Sequence, residues 1–347
     1  MEGASVSWRA ATGVLDEAVR RRVFPGGVAE AGGPEGPRWR YATGCLAYEP
    51  SAPRATLETI YDLASLTKVV CTTTLAMRLV DRGRVALDAP LSAFLGGWRG
   101  DGREAATIGD LLSHASGLPA WLPLYEACRG REAFERAICG TPLAYPPRST
   151  SVYSDLGFIL LGFVLEDLSG SGLARQCEDL RFTDLGFTVA PGDLARTAPT
   201  QRDDWRGRLL RGEVDDRNAH ALGGAAGHAG LFGTARGVGA FARRLMRGLE
   251  GDEAALGVAP RTLLHFTSRL AIPGTSRALG WDTMLPTSSC GTRLSPRAFG
   301  HTGFTGTSLW IDPERRLYAV LLTNRVHPAP GDPADILAVR QAFHDSI

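Results

Sequence analysis

The stretch Ser65-Leu66-Thr67-Lys68 stands at the start of the long apolar segment 69–80. The sequence has 38 basic residues, and counting along it gives 37 arginines and a single lysine, Lys68. A guanidinium stays protonated in proteins, whereas an amine can lose its proton once it is desolvated. A lone lysine three residues after a serine therefore indicates proton-transfer chemistry. The alternative is that one lysine remained here by chance.

This segment is predicted to be a helix that continues to Arg82 and ends at Gly83, a residue type favoured just after a helix. Apolar residues occupy nearly every face of it, which predicts a buried, central helix. Ser65 and Lys68 are i and i+3 in its first turn and share one face. Unpaired backbone N–H groups at a helix start favour developing negative charge.

The rest of the pattern predicts an α/β (α+β) fold. It would be an antiparallel sheet flanked by N- and C-terminal helices, with an inserted all-helical domain. We expect residues 1–62 and 276–347 to form the sheet domain and 63–275 the mainly helical one, with the active site at their junction. Strands are predicted at 27–31, 39–43, 279–284, 299–303, 308–312 and 317–323, and further helices at 8–22, 108–114, 156–168, 235–249 and 334–343. Residues 171–222 are predicted to be irregular.

Composition excludes several classes of protein. Hydrophobic residues make up 44% and charged residues 22%, as in ordinary globular chains, and the net charge is +1. The only basic run, at 20–22, is short, so nucleic-acid binding is not expected. The apolar stretch 157–165 is too short to span a bilayer. No export signal is visible at residues 1–5, which favours a cytoplasmic location.

The cysteines and histidines do not follow metal-site spacing. Six cysteines form no CxxC pair, and the seven histidines form no HxxxH or HxH arrangement. We therefore expect free thiols, no metal and no cofactor.

Three short motifs resemble the signature elements of the penicillin-recognising SxxK serine hydrolases. They are Ser65-Leu-Thr-Lys68, Tyr153-Ser-Asp155 and His301-Thr-Gly303, in that order. The detail is similar to class C β-lactamases, D-alanyl-D-alanine peptidases and family VIII esterases. The stretches 111–118, 227–232 and 279–281 are also similar to this group, and the resemblance extends from about residue 10 to 345.

The resemblance implies that Ser65 is the nucleophile and that Tyr153 lies between Ser65 and Lys68. A serine hydroxyl needs a base to take its proton, and either Lys68 or Tyr153 could act. Asp155 stands where the β-lactamases usually have Asn. A carboxylate beside Lys68 favours the ammonium form, which shifts the role toward Tyr153, with Lys68 stabilising its phenolate. Considered singly, Ser65 could be a helix N-cap, Tyr153 a core residue and Asp155 a first-turn residue.

His301, Thr302 and Gly303 replace the Lys-Thr-Gly strand of most β-lactamases, whose cation meets a substrate carboxylate. A histidine is charged only part of the time near neutral pH, or it could be an ordinary strand residue. Gly303 leaves room for a substrate against the backbone. By position, the backbone N–H groups of Ser65 and Phe304 would form the oxyanion hole.

Other residues were less decisive. We expect His114 and His228 to be structural hydrogen-bonding residues. Trp121, Tyr125 and Trp310 would line a pocket or pack in the core.

These motifs predict a serine hydrolase that forms an acyl-enzyme with small ester or amide substrates. An esterase or a D-amino-acid peptidase is favoured, because no export signal is seen. A weak β-lactamase, a D-alanyl carboxypeptidase or an acyltransferase remains an alternative. From another class, the fold could serve as a non-catalytic acyl-binding or scaffold protein. The oligomeric state is open.

Overall fold

The computed structural model describes residues 8–347. The expectation about an export signal falls on residues outside this range, and the cytoplasmic location stays a prediction. The helices are α1 Trp8–Arg20, α2 Thr74–Asp81, α3 Ile108–Leu112, α4 Gly130–Gly140, α5 Asp155–Ser169, α6 Leu173–Asp179, α7 Arg217–Ala221, α8 Ala235–Leu249, α9 Pro260–Thr267 and α10 Pro333–Asp345. The strands are β1 Gly26–Gly33, β2 Gly36–Gly44, β3 Tyr61–Asp62, β4 Leu185–Gly186, β5 Arg202–Asp203, β6 Arg208–Leu209, β7 Phe232–Gly233, β8 Asp282–Thr283, β9 Phe299–Thr302, β10 Ser308–Asp312 and β11 Leu317–Thr323.

The largest sheet joins the two ends of the chain. It has six strands in the order β2-β1-β11-β10-β9-β8, and every neighbouring pair is antiparallel. Val28 of β1 lies opposite Leu322 of β11, so the first hairpin and the last are paired in the centre of the sheet. The predicted fold class is thereby confirmed. The division into 1–62 plus 276–347 and 63–275 stays a prediction.

Side chains alternate between the two faces of this sheet, as the two-residue period of a strand requires. In β11, Val320 and Leu322 belong to the core shared with the helical region, whereas Ala319 and Leu321 face the terminal helices. The second core holds the apolar faces of α1 and α10, which pack on each other. The sheet is therefore covered on both sides.

The predicted strand at 279–284 is wrong for its first half. Gly280 has a φ of +86°. Its N–H donates to Leu112 O at 2.8 Å, and the N–H of Leu279 donates to Phe266 O at 3.2 Å. These hydrogen bonds go to α3 and α9 instead of the sheet, so only Asp282–Thr283 pair as β8.

The helix after Ser65 is confirmed as buried, but most of its first half is not α-helical. Residues Lys68–Thr73 form wide π-helical turns, and all six are buried. The Thr74 hydroxyl donates to Val69 O, five residues back, at 3.1 Å. π-helical turns are rare and frequently occur at functional sites. Gly83, with a φ of +65°, ends the helix as predicted.

Helix α5 is the second central helix. The Ser154 hydroxyl caps it by accepting from Gly157 N at 3.3 Å. Its residues from Leu156 to Leu165 are buried. Residues 171–222 are less irregular than predicted, since α6, α7 and three short strands form there.

Across residues 8–347, no single helix is long and apolar enough to cross a membrane. One pair, α5 and α6, reaches that length and apolarity only together, across a 69° bend. All six cysteines are free thiols, as predicted.

Candidate active site

Ser65 is presented by a tight turn between β3 and the buried helix. Ala64 has a φ of +46°, a conformation that costs a non-glycine residue roughly 1–2 kcal/mol. The turn is held from both sides: Ala64 N donates to Asp62 Oδ1 at 2.8 Å, and the Thr67 hydroxyl donates to Ala64 O at 2.6 Å. These contacts fix the candidate nucleophile at one end of the π-helical turns.

Lys68 is fully buried, and three oxygens surround its ammonium group. Nζ donates to Ser65 Oγ at 2.9 Å and to His228 O at 3.0 Å. Asp155 Oδ1 lies 2.7 Å from the same nitrogen. Burial lowers the pKa of Lys68, but the Asp155 carboxylate and the Tyr153 phenol raise it by more, so the net pKa lies above its ordinary value. In the resting site Lys68 is an ammonium ion.

Tyr153 lies beside both Ser65 and Lys68. Lys68 Nζ is 4.9 Å from the centre of its ring. Burial raises the pKa of Tyr153, and the ammonium of Lys68 together with hydrogen bonding to Lys68 and Ser65 lowers it by less. Tyr153 is therefore a neutral phenol in the resting site. This differs from the hypothesis that Lys68 holds it as a phenolate.

His114 packs against Tyr153 and fixes the start of α5. Its ring centre is 4.6 Å from that of Tyr153, and Nδ1 accepts from Ser154 N at 3.0 Å. Burial first, and then the charges of Arg277 and Lys68, hold the pKa of His114 well below its usual range. The expectation of a structural hydrogen-bonding residue is confirmed.

His301 is buried in β9 and is neutral. Burial first, and then Lys68 and Arg277, hold its pKa well below the ordinary value. Nδ1 lies 2.8 Å from Thr302 O, so it carries the proton and donates to that carbonyl. Nε2 is then a lone pair, and it has no hydrogen-bond partner within residues 8–347. This differs from the expectation that His301 is charged part of the time, because its ring is buried and lies near the cations Lys68 and Arg277.

Gly303 and Phe304 follow β9 in a turn whose carbonyl oxygens accept hydrogen bonds from two arginine side chains. Arg340 of α10 donates from Nη2 to Gly303 O at 2.7 Å and to Thr307 O at 2.8 Å. Arg325 Nε donates to Phe304 O at 2.9 Å. A Cβ on Gly303 would lie 2.1 Å from Thr307 Oγ1 and 2.7 Å from Leu63 O, so only glycine fits here. The turn that carries the candidate oxyanion N–H of Phe304 is thus rigidly placed.

A cavity of about 730 Å³ opens onto these residues. Of the eight predicted site residues, seven line the cavity, and the eighth, Lys68, is fully buried. The seven are Ser65, Tyr153, Asp155, His301, Thr302, Gly303 and Phe304.

Sequence reasoning missed Arg277, which also lines the cavity. Its guanidinium carbon is 5.1 Å from the centre of the Tyr153 ring. Among the residues that the structure describes, it forms no ion pair with a carboxylate. Arg277 is one of 37 arginines, so its residue type alone did not mark it as a site residue. Its position just before the motif Leu279-Gly-Trp281 is the only sequence feature that could have identified it.

A second set of missed residues is acidic. Asp62 is fully buried and accepts from Asp215 N at 2.7 Å. Burial and the nearby Asp215 raise the pKa of Asp62 to about 7. Asp216 Oδ1 lies 2.8 Å from His228 Nε2, and His228 is the residue whose carbonyl oxygen contacts Lys68. His228 thus connects Asp216 to Lys68 by hydrogen bonds, as expected of a structural hydrogen-bonding residue.

In the described part of the chain, no group of three or more His, Cys, Asp or Glu side chains is arranged to hold a metal ion.

Comparison with known proteins agrees with this geometry. A family model described as Beta-lactamase matches residues 14–343. The chain belongs to the β-lactamase family. A protein of Escherichia coli (strain K12) named "Putative D-alanyl-D-alanine carboxypeptidase" is 32% identical over 319 residues, covering 81% of this chain and 72% of that protein. A protein of the same name from Salmonella gallinarum matches to the same extent.

Several solved structures of β-lactamase-like proteins share the fold. The class C β-lactamase from Rhodobacter sphaeroides is 19% identical with a TM-score of 0.76, covering 97% of this chain and 98% of that chain. EstCE1, a hydrolase with promiscuous acyltransferase activity, is 21% identical with a TM-score of 0.74 and the same coverage. Simvastatin synthase LovD from Aspergillus terreus is 20% identical with a TM-score of 0.75, covering 99% and 98%. This β-lactamase-family chain is therefore a hydrolase of that fold.

Proposed function

We propose that the protein is a serine hydrolase that acylates Ser65 with small ester or amide substrates and then deacylates with water. The contact between Lys68 Nζ and Ser65 Oγ, 2.9 Å long and at the wall of the cavity, carries the proposal. Burial of an ammonium group costs folding free energy, and a well-packed apolar residue would often be more stable at such a position. A buried lysine at this position therefore supports a functional role for its charge. Here the charge faces the oxygen that would react.

Ser65 Oγ accepts a hydrogen bond from Lys68, so its own proton is free to point toward Tyr153. We propose that Tyr153 accepts this proton while it donates its own proton to the leaving group. The bond from Ser65 Oγ to the acyl carbon forms, and the bond from that carbon to the leaving group breaks. Water then attacks the acyl-enzyme, and the same relay in reverse returns a proton to Ser65 Oγ. No group needs to be a free base in the resting state.

Lys68 acts in this scheme as a fixed cation beside the developing charges. The oxyanion would form against the backbone N–H groups of Ser65 and Phe304. Such a donor is worth about 3–4 kcal/mol of activation barrier in acyl-transfer enzymes. The hydrogen bonds from Arg340 and Arg325 to the Gly303–Phe304 turn support this role, because they hold the donor in place before the substrate arrives.

Arg277 favours substrates with a carboxylate near the scissile bond. Its guanidinium lies over the Tyr153 ring and inside the cavity, where it has no carboxylate partner within residues 8–347. Guanidinium groups bind carboxylates through paired, charge-assisted hydrogen bonds. A peptide C-terminus has this chemistry, and the relatives named as D-alanyl-D-alanine carboxypeptidases point the same way. A D-amino-acid peptidase is therefore our preferred reading over an esterase.

Reaction with a fluorophosphonate probe tests the nucleophile. The intact mass of the wild-type chain should increase by one adduct, and peptide mapping should find it on Ser65. Ser65→Ala should remain unmodified, and Ser149→Ala, which removes an exposed serine, should label like the wild type. An unmodified wild-type chain would exclude acylation of Ser65.

A further inference from the structure

The acidic segment at the start of α7 is not used by the proposed chemistry. Asp215 and Asp216 both line the cavity that opens onto Ser65. Asp215 is 4% exposed, and its Oδ1 has no hydrogen-bond partner in the range 8–347. Its other oxygen accepts from Gln201 Nε2 at 3.1 Å. A buried carboxylate oxygen without a close donor is costly. Burial raises the pKa of Asp215 to about 6, and hydrogen bonding from the Thr200 hydroxyl opposes this only in part.

Asp216 adds a second carboxylate beside this oxygen. Its Oδ1 is already used, since it lies 2.8 Å from His228 Nε2 and accepts from Ala219 N at 2.7 Å. The side chain is still 26% exposed. Burial raises the pKa of Asp216, but His228, the N–H of Ala219 and the charge of Lys68 together lower it by more, so Asp216 is ionised at neutral pH. Two adjacent carboxylates therefore face one cavity.

An exposed aromatic ring lies in the same cavity. Trp121 is 47% exposed, although it lines the cavity. The segment that carries it is docked on α7, since Tyr125 N donates to Asn218 Oδ1 at 2.9 Å and Asn218 Nδ2 donates to Leu122 O at 2.9 Å. Aromatic faces and carboxylates together favour an organic ammonium ion.

The neighbouring cations leave this site negative. Arg217 is held by Asp203, 3.0 Å away, and by the Tyr125 hydroxyl. Arg206 is the cation whose charge lowers the pKa of Asp215, but its Nη2 donates to the Asp215 carbonyl oxygen and its Nε to Asp203. Arg325 donates from Nε and Nη1 to the carbonyls of Phe304 and Gly331. None of these three arginines donates to Asp215 Oδ1 or to Asp216.

The attachment of this segment indicates which part of a substrate it faces. Asp215 N is bonded to Asp62, which also holds Ala64, the residue before Ser65. Asp216 is joined to Lys68 through His228. The leaving group, in the proposed function, lies at Tyr153 and under Arg277. Because the leaving group is assigned to Arg277, the acyl part is assigned to the acidic segment, which is tied to the turn that carries Ser65.

We propose that Asp215, Asp216 and Trp121 form a subsite for a protonated amine on the acyl part of the substrate. Aminoacyl esters and amides with a free α-amino group are then the preferred acyl donors. This inference deepens the proposed function and rests on acylation of Ser65. Loss of one of the two carboxylates should weaken binding of such an amine about tenfold, as expected for one charge-assisted contact.

Binding to a variant that cannot react separates this subsite from the chemistry. Alanine p-nitroanilide, as each enantiomer, and its neutral N-acetyl analogue are titrated into Ser65→Ala by calorimetry. We expect one enantiomer of the free amine to bind at least about tenfold more tightly than its N-acetyl analogue. This ratio should fall to about threefold or less when Asp215→Asn or Asp216→Asn is added, and Trp121→Ala should lower it too.

The control is Asp101→Asn in the same background, since the side chain of Asp101 is 82% exposed. It should keep the ratio of the parent. Equal affinity for the amine and its N-acetyl analogue, no binding of either, or a ratio unchanged in the Asp215 and Asp216 variants would overturn the subsite. None of these results bears on labelling of wild-type Ser65 by the fluorophosphonate, so the two proposals fail separately.

Discussion

Lys68 Nζ lies 2.7 Å from Asp155 Oδ1, and the lysine side chain is fully buried. This ion pair fixes the charge of the candidate catalytic lysine. Burial lowers the pKa of Lys68, but Asp155 and Tyr153 together raise it by more, so Lys68 holds its proton through neutral pH. The resemblance of the motif to β-lactamases implies an uncharged Asn at this position, and this chain has Asp155 instead. This ion pair supports the proposal that Lys68 contributes a charge and does not accept the proton of Ser65.

Asp155→Asn tests this assignment through pH dependence. Without the carboxylate, burial lowers the pKa of Lys68 with less opposition, so Lys68 loses its proton at a lower pH. If the cation is required, the alkaline decline in the rate of Ser65 labelling moves to lower pH. The rate is measured from pH 5 to 11 with the fluorophosphonate probe, with Asp101→Asn as control. Faster labelling of the variant at neutral pH would instead identify neutral Lys68 as the base.

Arg277→Gln tests whether the Arg277 guanidinium binds a carboxylate of the substrate. The wild type should prefer a dipeptide substrate with a free C-terminal carboxylate over the same substrate as an amide. The variant should lose about tenfold of this preference in kcat/KM, because a charge-assisted pair is removed. Arg20→Gln, at a residue whose side chain is 75% exposed, is the matched control. An unchanged preference in Arg277→Gln would mean that this guanidinium does not meet the substrate.

Glu30→Ala should destabilise the sheet where it meets α8. Glu30 is 1% exposed, and its carboxylate accepts from Arg40 Nε at 2.7 Å, Arg243 Nη1 at 2.9 Å and the Tyr318 hydroxyl at 2.7 Å. Removal of one partner from a buried ion pair costs about 3–5 kcal/mol. The free energy of unfolding is measured by urea denaturation. Glu35→Ala, in an exposed ion pair, should leave the denaturation midpoint nearly unchanged. A similar small effect for Glu30→Ala would contradict this account.

His344 should make the protein less stable in acid. Burial first, and then Arg340, lower its pKa from 6.5 to about 3. Below pH 6.5 the unfolded chain binds a proton at His344 and the folded chain does not, so stability falls as the pH falls toward 3. One such group contributes about 1.4 kcal/mol per pH unit in this range.

Other groups also titrate between pH 7 and 3. The effect of His344 is therefore isolated by comparing the free energy of unfolding of the wild type with that of a variant. Asp62, with a pKa raised to about 7, binds its proton in the folded state and opposes the loss in acid. The unfolding free energy of wild type and His344→Gln is therefore measured from pH 7 to 4. The variant should lose stability less steeply, by about 1.4 kcal/mol per pH unit. Parallel curves for the two proteins would contradict the linkage.

The sequence predicted those parts of the fold that depend on local pattern. The strands Ser308–Asp312 and Leu317–Thr323 and the helix Ala235–Leu249 have the bounds that were expected. Alternating or helical apolar spacing determines such elements directly. The half-strand at 279–281 was mispredicted because hydrogen bonds to α3 and α9, distant in sequence, replaced sheet pairing.

The candidate site was only partly predictable for the same reason. Ser65, Lys68 and Tyr153 lie in short motifs, so pattern was enough to find them. Arg277 and Asp215 carry no motif, and their importance comes from a cavity that forms only when distant segments meet. The protonation of His301 was also beyond the sequence, since it depends on burial and on the charge of Arg277.

The chain's only lysine is also fully buried. Amine-directed reagents, including acylating cross-linkers and biotin esters, therefore find no lysine on the folded surface. Incorporation of ¹⁵N-labelled lysine would give a spectrum with one side-chain signal, and that signal would belong to the candidate active site. A titration of this single resonance would follow the proton of Lys68 directly, without any mutation.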